Sequence, residues 1–411
     1  MVRNRNEEGH MADREFEERL ERALRESEIT RRDLLRRGIV IGAGFTVLPA
    51  VAAACGGDDD GEGGEAPTEV PASGTDISME DLIAAAKDEG RLNTIALPPD
   101  WANYGEVMQT FQSKYGLRIT NASPNASSAE ENEAVKALKG QDRAPDVLDV
   151  GPAFAAEGKA DGLYAAYKNS QWDTIPDNMK DADGNWVADY WGVIAFGANE
   201  KVVAAPKAWA DLKKPEYKGK VALNGDPRES GSALAGVTAC ALANGGSLED
   251  ISAGIDFFAE LKKMGNFIPV DATPATVSSG QTPVTVDWDY LQLAYGKEFE
   301  ANVTWVVSVP TDGVFGNFYC QAINAEAPHP FAARLWQEFL YSDEGQLLWL
   351  KGFTHPARFQ DMAERGVVPQ DLLDQLPPAQ SYETVQFPTP EQSDAQSAQI
   401  AEQWGPKVAG G

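Results

Sequence analysis

A chain of 411 residues is too long for one ordinary hydrophobic core, and a formal net charge of -28 makes it a poor partner for polyanions. The first 54 residues hold ten basic and ten acidic side chains; subtracting them from 35 and 63 leaves 25 Lys and Arg against 53 Asp and Glu. Such a surface excludes nucleic-acid binding and favours cations; three cysteines exclude a disulfide framework, and three histidines without ligand spacing give zinc little support.

In chain order, Met11 to Glu28 reads as a charged helix of an extended leader, with Met1 or Met11 as its start. Arg31 and Arg32 then precede an apolar run from Gly38 to Ala54, shorter than the ~20 residues that a spanning helix needs. This is the pattern of a twin-arginine export signal. Ala52, Ala53 and Ala54 form a small-residue cleavage site before Cys55, which resembles the lipobox of bacterial lipoproteins and marks Cys55 for acylation. Ala52 stands where a lipobox usually has Leu, so plain cleavage to a soluble protein is the alternative. From Cys55 to Gly74 and Thr75 the chain is acidic and rich in Gly, Pro and Ala, a disordered tether.

The remaining residues alternate strands and helices. Ser78 with Asp81 caps a helix ending at Gly90, Leu92 to Leu97 is a strand, Tyr104 to Tyr115 a helix, and Leu117 to Thr120 a strand. Ser128 with Glu131 opens a helix, Asp146 to Val150 is a strand, and Pro152 to Lys159 a helix. Such alternation predicts a mostly parallel sheet covered on both faces. A second run follows: strands at Trp191 to Phe196, Lys220 to Leu223, Val284 to Val286, Val303 to Val309 and Phe318 to Ile323, with helices at Ser232 to Ala243 and Leu248 to Met264. Helices at Phe331 to Phe339, Glu344 to Leu350, Gln370 to Leu376 and Pro390 to Trp404 complete the pattern. Cys240 and Cys320 read as two buried thiols.

In open parallel sheets ligands sit beyond the carboxyl ends of strands. The loop with Asp100, Trp101 and Tyr104 follows a strand there. So does the loop with Arg228, Ser230, Gly231 and Ser232, where a helix start offers NH groups and a positive dipole end to an anion. Asp287, Trp288, Asp289 and Tyr290 end a third strand and suit an ammonium, which gains a charge-assisted hydrogen bond and a cation–π contact. An ordinary N-cap at Ser230 and a capping Asp289 beside a core Trp288 are the structural alternatives. No Gly-x-Ser-x-Gly, phosphate loop or His-Glu-x-x-His occurs, so no catalytic residue, cofactor or metal is expected.

Trp209-Ala-Asp-Leu with Tyr217-Lys-Gly-Lys-Val, the stretch from Gly225 to Ser232, Ala327-Pro-His-Pro-Phe-Ala-Ala-Arg-Leu-Trp and Ser342-Asp-Glu-Gly-Gln together resemble the substrate-binding lipoproteins of bacterial ABC importers. The resemblance is to the branch serving ferric iron, polyamines, thiamine and phosphonates. It implies a type 2 periplasmic binding protein fold: two doubly wound α/β lobes joined by a hinge, with a ligand cleft between them. Lobe 1 is expected at 76–198 and 316–355, lobe 2 at 199–315 and 356–411, with hinge residues near Gly197 to Glu200 and Asp312 to Gly316. By the resemblance Ser230 to Ser232 match an anion-holding helix start, Trp288 and Asp289 an aromatic–acid pair, and Trp101 and Tyr104 a cleft wall. It implies a monomeric receptor passing a polyamine or a zwitterion such as aminoethylphosphonate to a membrane permease. A ferric-iron receptor and an exported enzyme on the same scaffold are the alternatives.

Overall fold

The computed structural model describes residues 69–410. The chain divides into 1–69 and 70–411, and the architecture is that of the second unit. The leader, the paired arginines, Cys55 and the tether as far as Thr68 lie outside the described residues.

The globule takes hold of the chain before the tether's expected end. Arg334 Nε donates to Pro71 O at 2.6 Å, and Gly74 N donates to Lys168 O at 2.9 Å. Residues 71–75 therefore pack with the domain; a guanidinium this buried needs an acceptor, and Pro71 supplies one.

Local chemistry sets the elements that follow. Ser78 caps α1 (Met79–Glu89), which ends at left-handed Gly90 and leads into β1 (Arg91–Ile95). Then come α2 (Tyr104–Tyr115), β2 (Arg118–Ala122), α3 (Ser128–Ala137), β3 (Val147–Val150), α4 (Pro152–Ala160) and β4 (Tyr164–Ala165). The capping box of α3 is Ser127 with Glu130, one residue before the predicted pair, because Ser127 holds the extended dihedrals that a cap requires. β5 (Trp186–Asn199) has 14 residues and is buried along all but Trp191. Beyond it lie β6 (Val221–Leu223), α5 (Gly231–Ala243), α6 (Ser252–Met264), α7 (Pro274–Ser278), β7 (Val284–Trp288) and α8 (Asp289–Glu298). The last elements are β8 (Trp305–Ser308), β9 (Gly316–Asn324), α9 (Pro330–Tyr341), α10 (Asp343–Lys351), β10 (His355–Pro356), α11 (Phe359–Glu364), α12 (Gln370–Leu373) and α13 (Pro390–Trp404).

The sheet runs β2-β1-β3-β9-β5-β7-β6. β1 pairs in parallel with β2 and β3, and β6 with β7, but β9 and β5 are antiparallel to each other and to their neighbours. The sheet is thus mixed rather than mostly parallel. Parallel neighbours need a crossover helix between them, whereas β5 and β9 pass straight through the middle. Trp186 to Val193 of β5 pair with β9, and Ile194 to Asn199 pair with β7 and β8, so one strand serves both halves of the sheet. A register shift between Ala188 and Trp191 marks the bend.

Aromatic side chains fill both halves. Phe111, Tyr115, Trp336 and Phe339 pack where α2 meets α9, and Phe196, Trp209, Phe257, Phe258 and Trp404 pack around α6. Cys240 on α5 and Cys320 on β9 are free, buried thiols, as the sequence predicts. Among the described residues no helix is long and apolar enough to cross a membrane.

Candidate ligand-binding site

Two helices begin on opposite sides of β9. α4 starts at Gly151 and Pro152 directly after β3, with no side-chain cap, and α5 starts at Ser230 after the β6 loop. Between them is a cavity of about 60 Å³. Its walls are Gly151 to Phe154, the first turn of α5 (Gly231, Leu234, Ala235), Trp288, Phe315, the β9 segment Asn317 to Tyr319, and Ser393, Gln396 and Ser397 of α13. The first amides of a helix have no intrahelical acceptor and sit at its positive end, so both starts favour an anionic group.

Behind this cavity the aromatic side chains converge. Trp101 lies 6.0 Å from Tyr290 and 5.7 Å from Tyr319, ring centre to ring centre, and Tyr190 lies 5.7 Å from Tyr290 and 6.0 Å from Tyr319. Trp288 stacks parallel to Tyr290 at 6.2 Å. Trp101 Nε1 donates to Tyr190 Oη at 2.7 Å, and Tyr190 Oη reaches Asp149 Oδ2 at 3.5 Å. Ala102 and Asn103 beside Trp101 have positive φ, and Asn103 Nδ2 donates to Glu106 Oε2 and Leu348 O at 2.9 Å, which pins the loop.

Carboxyls line the same region. Asp149 is the last residue but one of β3 and Asp189 lies on β5; they flank Gln321 of β9, whose Nε2 donates to Asp189 Oδ2 at 3.0 Å and to Tyr104 Oη at 2.9 Å. Burial raises the pKa of both acids, and Asp149's charge raises that of Asp189 further. Three polar atoms here lack a partner although they are buried: Asp149 Oδ1, Trp288 Nε1 and Tyr290 Oη. Each such atom costs about 1–3 kcal/mol while it stays unpartnered, which makes it a candidate partner for a polar solute.

The predicted site residues divide into three groups. Trp101, Trp288 and Tyr290 come together with the unpartnered atoms, and Gly231 lines the cavity. Ser230, Ser232, Asp287 and Asp289 are engaged internally. Ser230 Oγ caps α5 and donates to Asn224 O at 2.5 Å; Asp287 accepts from Ser232 Oγ at 3.0 Å, Asn224 Nδ2 at 2.9 Å and Trp288 N at 2.8 Å. Asp289 accepts from Val193 N and Tyr290 N at 3.0 Å and from Tyr382 Oη at 2.9 Å; it is the first residue of α8, and the N-cap is Trp288. Tyr104 is fully buried against Asp189 and Trp349, while Asp100 is exposed and Arg228, also exposed, pairs with Asp226 at 2.6 Å.

Sequence reasoning missed Asp149, Tyr190, Tyr319 and the α13 residues. Asp149 carried one usable signal, an acid near the end of a strand, two residues before the Gly-Pro start of a helix. Tyr190 and Tyr319 lie inside strands and carried none.

A family model described as bacterial extracellular solute-binding protein matches residues 142–387, more than half of the chain. The chain belongs to this family. No curated protein matches it. Its fold is that of periplasmic binding proteins. AfuA of Actinobacillus pleuropneumoniae, with exogenous fructose-6-phosphate bound, is 20% identical at a TM-score of 0.63 over 78% of this chain and 99% of that one. Iron-bound HitA of Pseudomonas aeruginosa is 18% identical at 0.58, over 75% and 99%. AgtB of A. tumefaciens R10, in complex with agropinic acid, is 13% identical at 0.61, over 78% and 99%.

Proposed function

We propose that this solute-binding protein is the receptor of an ABC importer, exported by the twin-arginine route and held at the outer face of the membrane through an acylated Cys55. It works as a monomer, without catalytic turnover, and passes its solute to a membrane permease. Two lobes, 76–198 with 316–355 and 199–315 with 356–411, close over the solute. The course of β5 and β9 through both halves of the sheet supports that division.

One observation carries the ligand assignment: a cavity set between two helix starts is lined by Trp288, whose Nε1 is buried and unpartnered, and the buried, unpartnered Asp149 Oδ1 belongs to the residue two positions before the wall residue Gly151. Trp288 Nε1 and the helix starts suit an anionic end. Asp149 Oδ1, within an aromatic cluster, suits a cationic end. The solute is therefore a small zwitterion of the aminoethylphosphonate type. Asp149 rather than Asp287 or Asp289 takes the cation, since those two already accept three hydrogen bonds each. A plain polyamine would leave the helix starts unused. Proteins of this fold hold ligands as unlike as fructose-6-phosphate, iron and agropinic acid, so the residues and not the fold select the solute.

A ferric-iron reading draws on the meeting of Tyr190, Tyr290 and Tyr319. Against it, Tyr190 Oη is already engaged by Trp101 Nε1 at 2.7 Å and by Asp149 Oδ2 at 3.5 Å, and among the described residues no group of three or more His, Cys, Asp or Glu could hold a metal ion.

A thermal-shift panel of putrescine, spermidine, thiamine, aminoethylphosphonate, phosphate and ferric citrate tests the assignment, because a ligand bound only by the folded state raises Tm. A shift with aminoethylphosphonate is expected. A shift with a polyamine alone would defeat the zwitterion, and one with ferric citrate alone would favour iron. For the anchor, Cys55→Ser is expected to release the protein from the membrane fraction.

A further inference from the structure

The buried stripe of α13 changes character along its length. Ile400, Trp404 and, past the helix end, Val408 are apolar and buried, and Trp404 packs on Phe258 and Phe267 with ring centres 5.8 and 6.2 Å apart. Earlier on the same face stand Ser393 and Gln396, which are also buried, with half-buried Ser397 beside them. Steps of three, four and four residues keep Ser393, Gln396, Ile400 and Trp404 on one side of the helix. The polar half of that side faces the cavity between the starts of α4 and α5. α13 begins at Pro390, past Phe387 where the family match ends, so its role has to be read from its contacts. We propose that α13 is a lid over the solute cavity, carried by one lobe and closed against the other, and that Ser397 contacts the solute. The inference rests on the two-lobe receptor reading above and adds to it a moving wall and a specificity-determining residue.

The fastenings of α13 are one-sided. Gln392 Nε2 donates to Glu249 Oε1 at 2.5 Å, Gln396 Nε2 to Leu248 O at 2.8 Å and Gln399 Nε2 to Glu249 O at 2.7 Å, while Gln399 Oε1 accepts from Ile251 N at 2.9 Å. Beyond the helix, Lys407 pairs with Asp256 at 2.7 Å. These partners all belong to the lobe that holds 199–315. α13 also packs against α4 of the other lobe, yet among the described residues no hydrogen bond or ion pair joins the two helices. A contact without directional bonds parts and re-forms without stranding a buried polar group. α13 therefore moves with the second lobe and leaves α4 when the lobes separate.

The cavity needs a wall that moves. Its volume of about 60 Å³ is below the ~300 Å³ and upward of a usual ligand pocket, so a solute is admitted only when a wall retreats. Gly151 to Phe154 follow β3 directly and Trp288 ends β7, so the sheet holds both, whereas α13 meets α4 by packing alone. Of the three α13 residues in the wall, Ser393 Oγ turns back to Thr389 O at 3.1 Å and Gln396 is held by Leu248 O. Ser397 is left as the one whose hydroxyl bonds no protein group among the described residues. A hydroxyl donates as well as accepts, so Ser397 can complete the hold on the anionic group that the two helix starts favour.

Stopped-flow tryptophan fluorescence on the exported chain tests the lid, with aminoethylphosphonate as the probe or, where another solute of the thermal-shift panel raises Tm instead, that solute. Ser397→Ala is expected to weaken binding about fivefold or more, through faster release rather than slower capture. Ser397→Trp, which fills the cavity from a half-buried position, is expected to abolish binding. Melting curves of both variants without solute are expected to match that of the unaltered protein. Gln399→Ala loosens the lid at a residue outside the cavity and is expected to speed release about threefold or more without slowing capture. Affinity that both Ser397 substitutions leave unchanged overturns the inference. So does an unchanged release rate in a folded Gln399→Ala chain; where that chain does not fold, the Ser397 pair decides alone. In either case of failure, a solute that binds the unaltered protein leaves the receptor reading standing. If no solute of the panel binds the unaltered protein, both fail together.

Discussion

Tyr382 Oη donates to Asp289 Oδ2 at 2.9 Å, and through that contact the segment before α13 is tied to the start of α8. The other oxygen of Asp289 takes Val193 N of β5 and Tyr290 N at 3.0 Å, so one carboxyl joins a crossing strand, a helix start and the C-terminal segment. Removing it leaves buried donors without an acceptor. Asp289→Ala is expected to lower stability by about 3 kcal/mol or more, and Tyr382→Phe by about 1 kcal/mol. Urea denaturation measures both, and a double variant is expected to lose less than the sum because the two share one interaction.

Gly192 of β5 backs onto Tyr290 and Asp289. A Cβ there would stand 2.6 Å from Tyr290 Cδ1 and 2.7 Å from Asp289 Oδ1, closer than real contacts allow. Neither neighbour can retreat, since Tyr290 is stacked on Trp288 and Asp289 is held by three donors. Gly192→Ala is expected to cost about 1–3 kcal/mol and, if the proposed site includes Tyr290, to weaken solute binding as well. Unchanged affinity in a destabilised variant would separate Tyr290 from the ligand.

Acid and base should act on stability in opposite directions through different residues. Burial pushes the carboxyls of Asp287 and Asp289 up to about 7, above their ordinary value of 3.8. The folded state then binds their protons more tightly than the unfolded one, so their contribution is greatest below pH 4 and is lost as pH rises toward 7. His355, stacked on Trp191 at 4.1 Å, is pushed down by burial to about 4 from 6.5. Here the unfolded state binds the proton better, so stability is lost as pH falls from 6.5 toward 4. Asp287→Asn is expected to flatten the decline between pH 4 and 7, and His355→Phe the decline between 6.5 and 4, in urea melts taken across that range.

Cys240 and Cys320 are fully buried, and burial raises both thiol pKa values. The thiolate is the reactive form, so neither should react with a thiol reagent in the folded protein. In a Cys55→Ser chain the labelling rate is expected to follow global unfolding, and fast labelling under native conditions would contradict the burial.

Local signals in the sequence determined most of the element order. Ser78, Gly90 and Gly116 mark helix ends by their caps and left-handed dihedrals, and apolar runs mark strands, because these effects act within a few residues. The family, too, was legible from short motifs in a fixed order. The site was only partly legible. Trp101, Trp288 and Tyr290 stood out as aromatics beside acids at strand ends, yet the same reasoning chose Asp287 and Asp289 as cation partners. Only the tertiary structure decided that those two carboxyls are spent on Asn224, Ser232, Val193 and Tyr382, residues from 55 to 96 positions away. It likewise decided that Asp149, Tyr190 and Tyr319 meet, since β3, β5 and β9 are distant in sequence and become neighbours only when two antiparallel strands pass through the middle of the sheet. A residue's type announces what it can bind. Which of its atoms remain free to bind depends on long-range pairing, and that is a property of the packed chain.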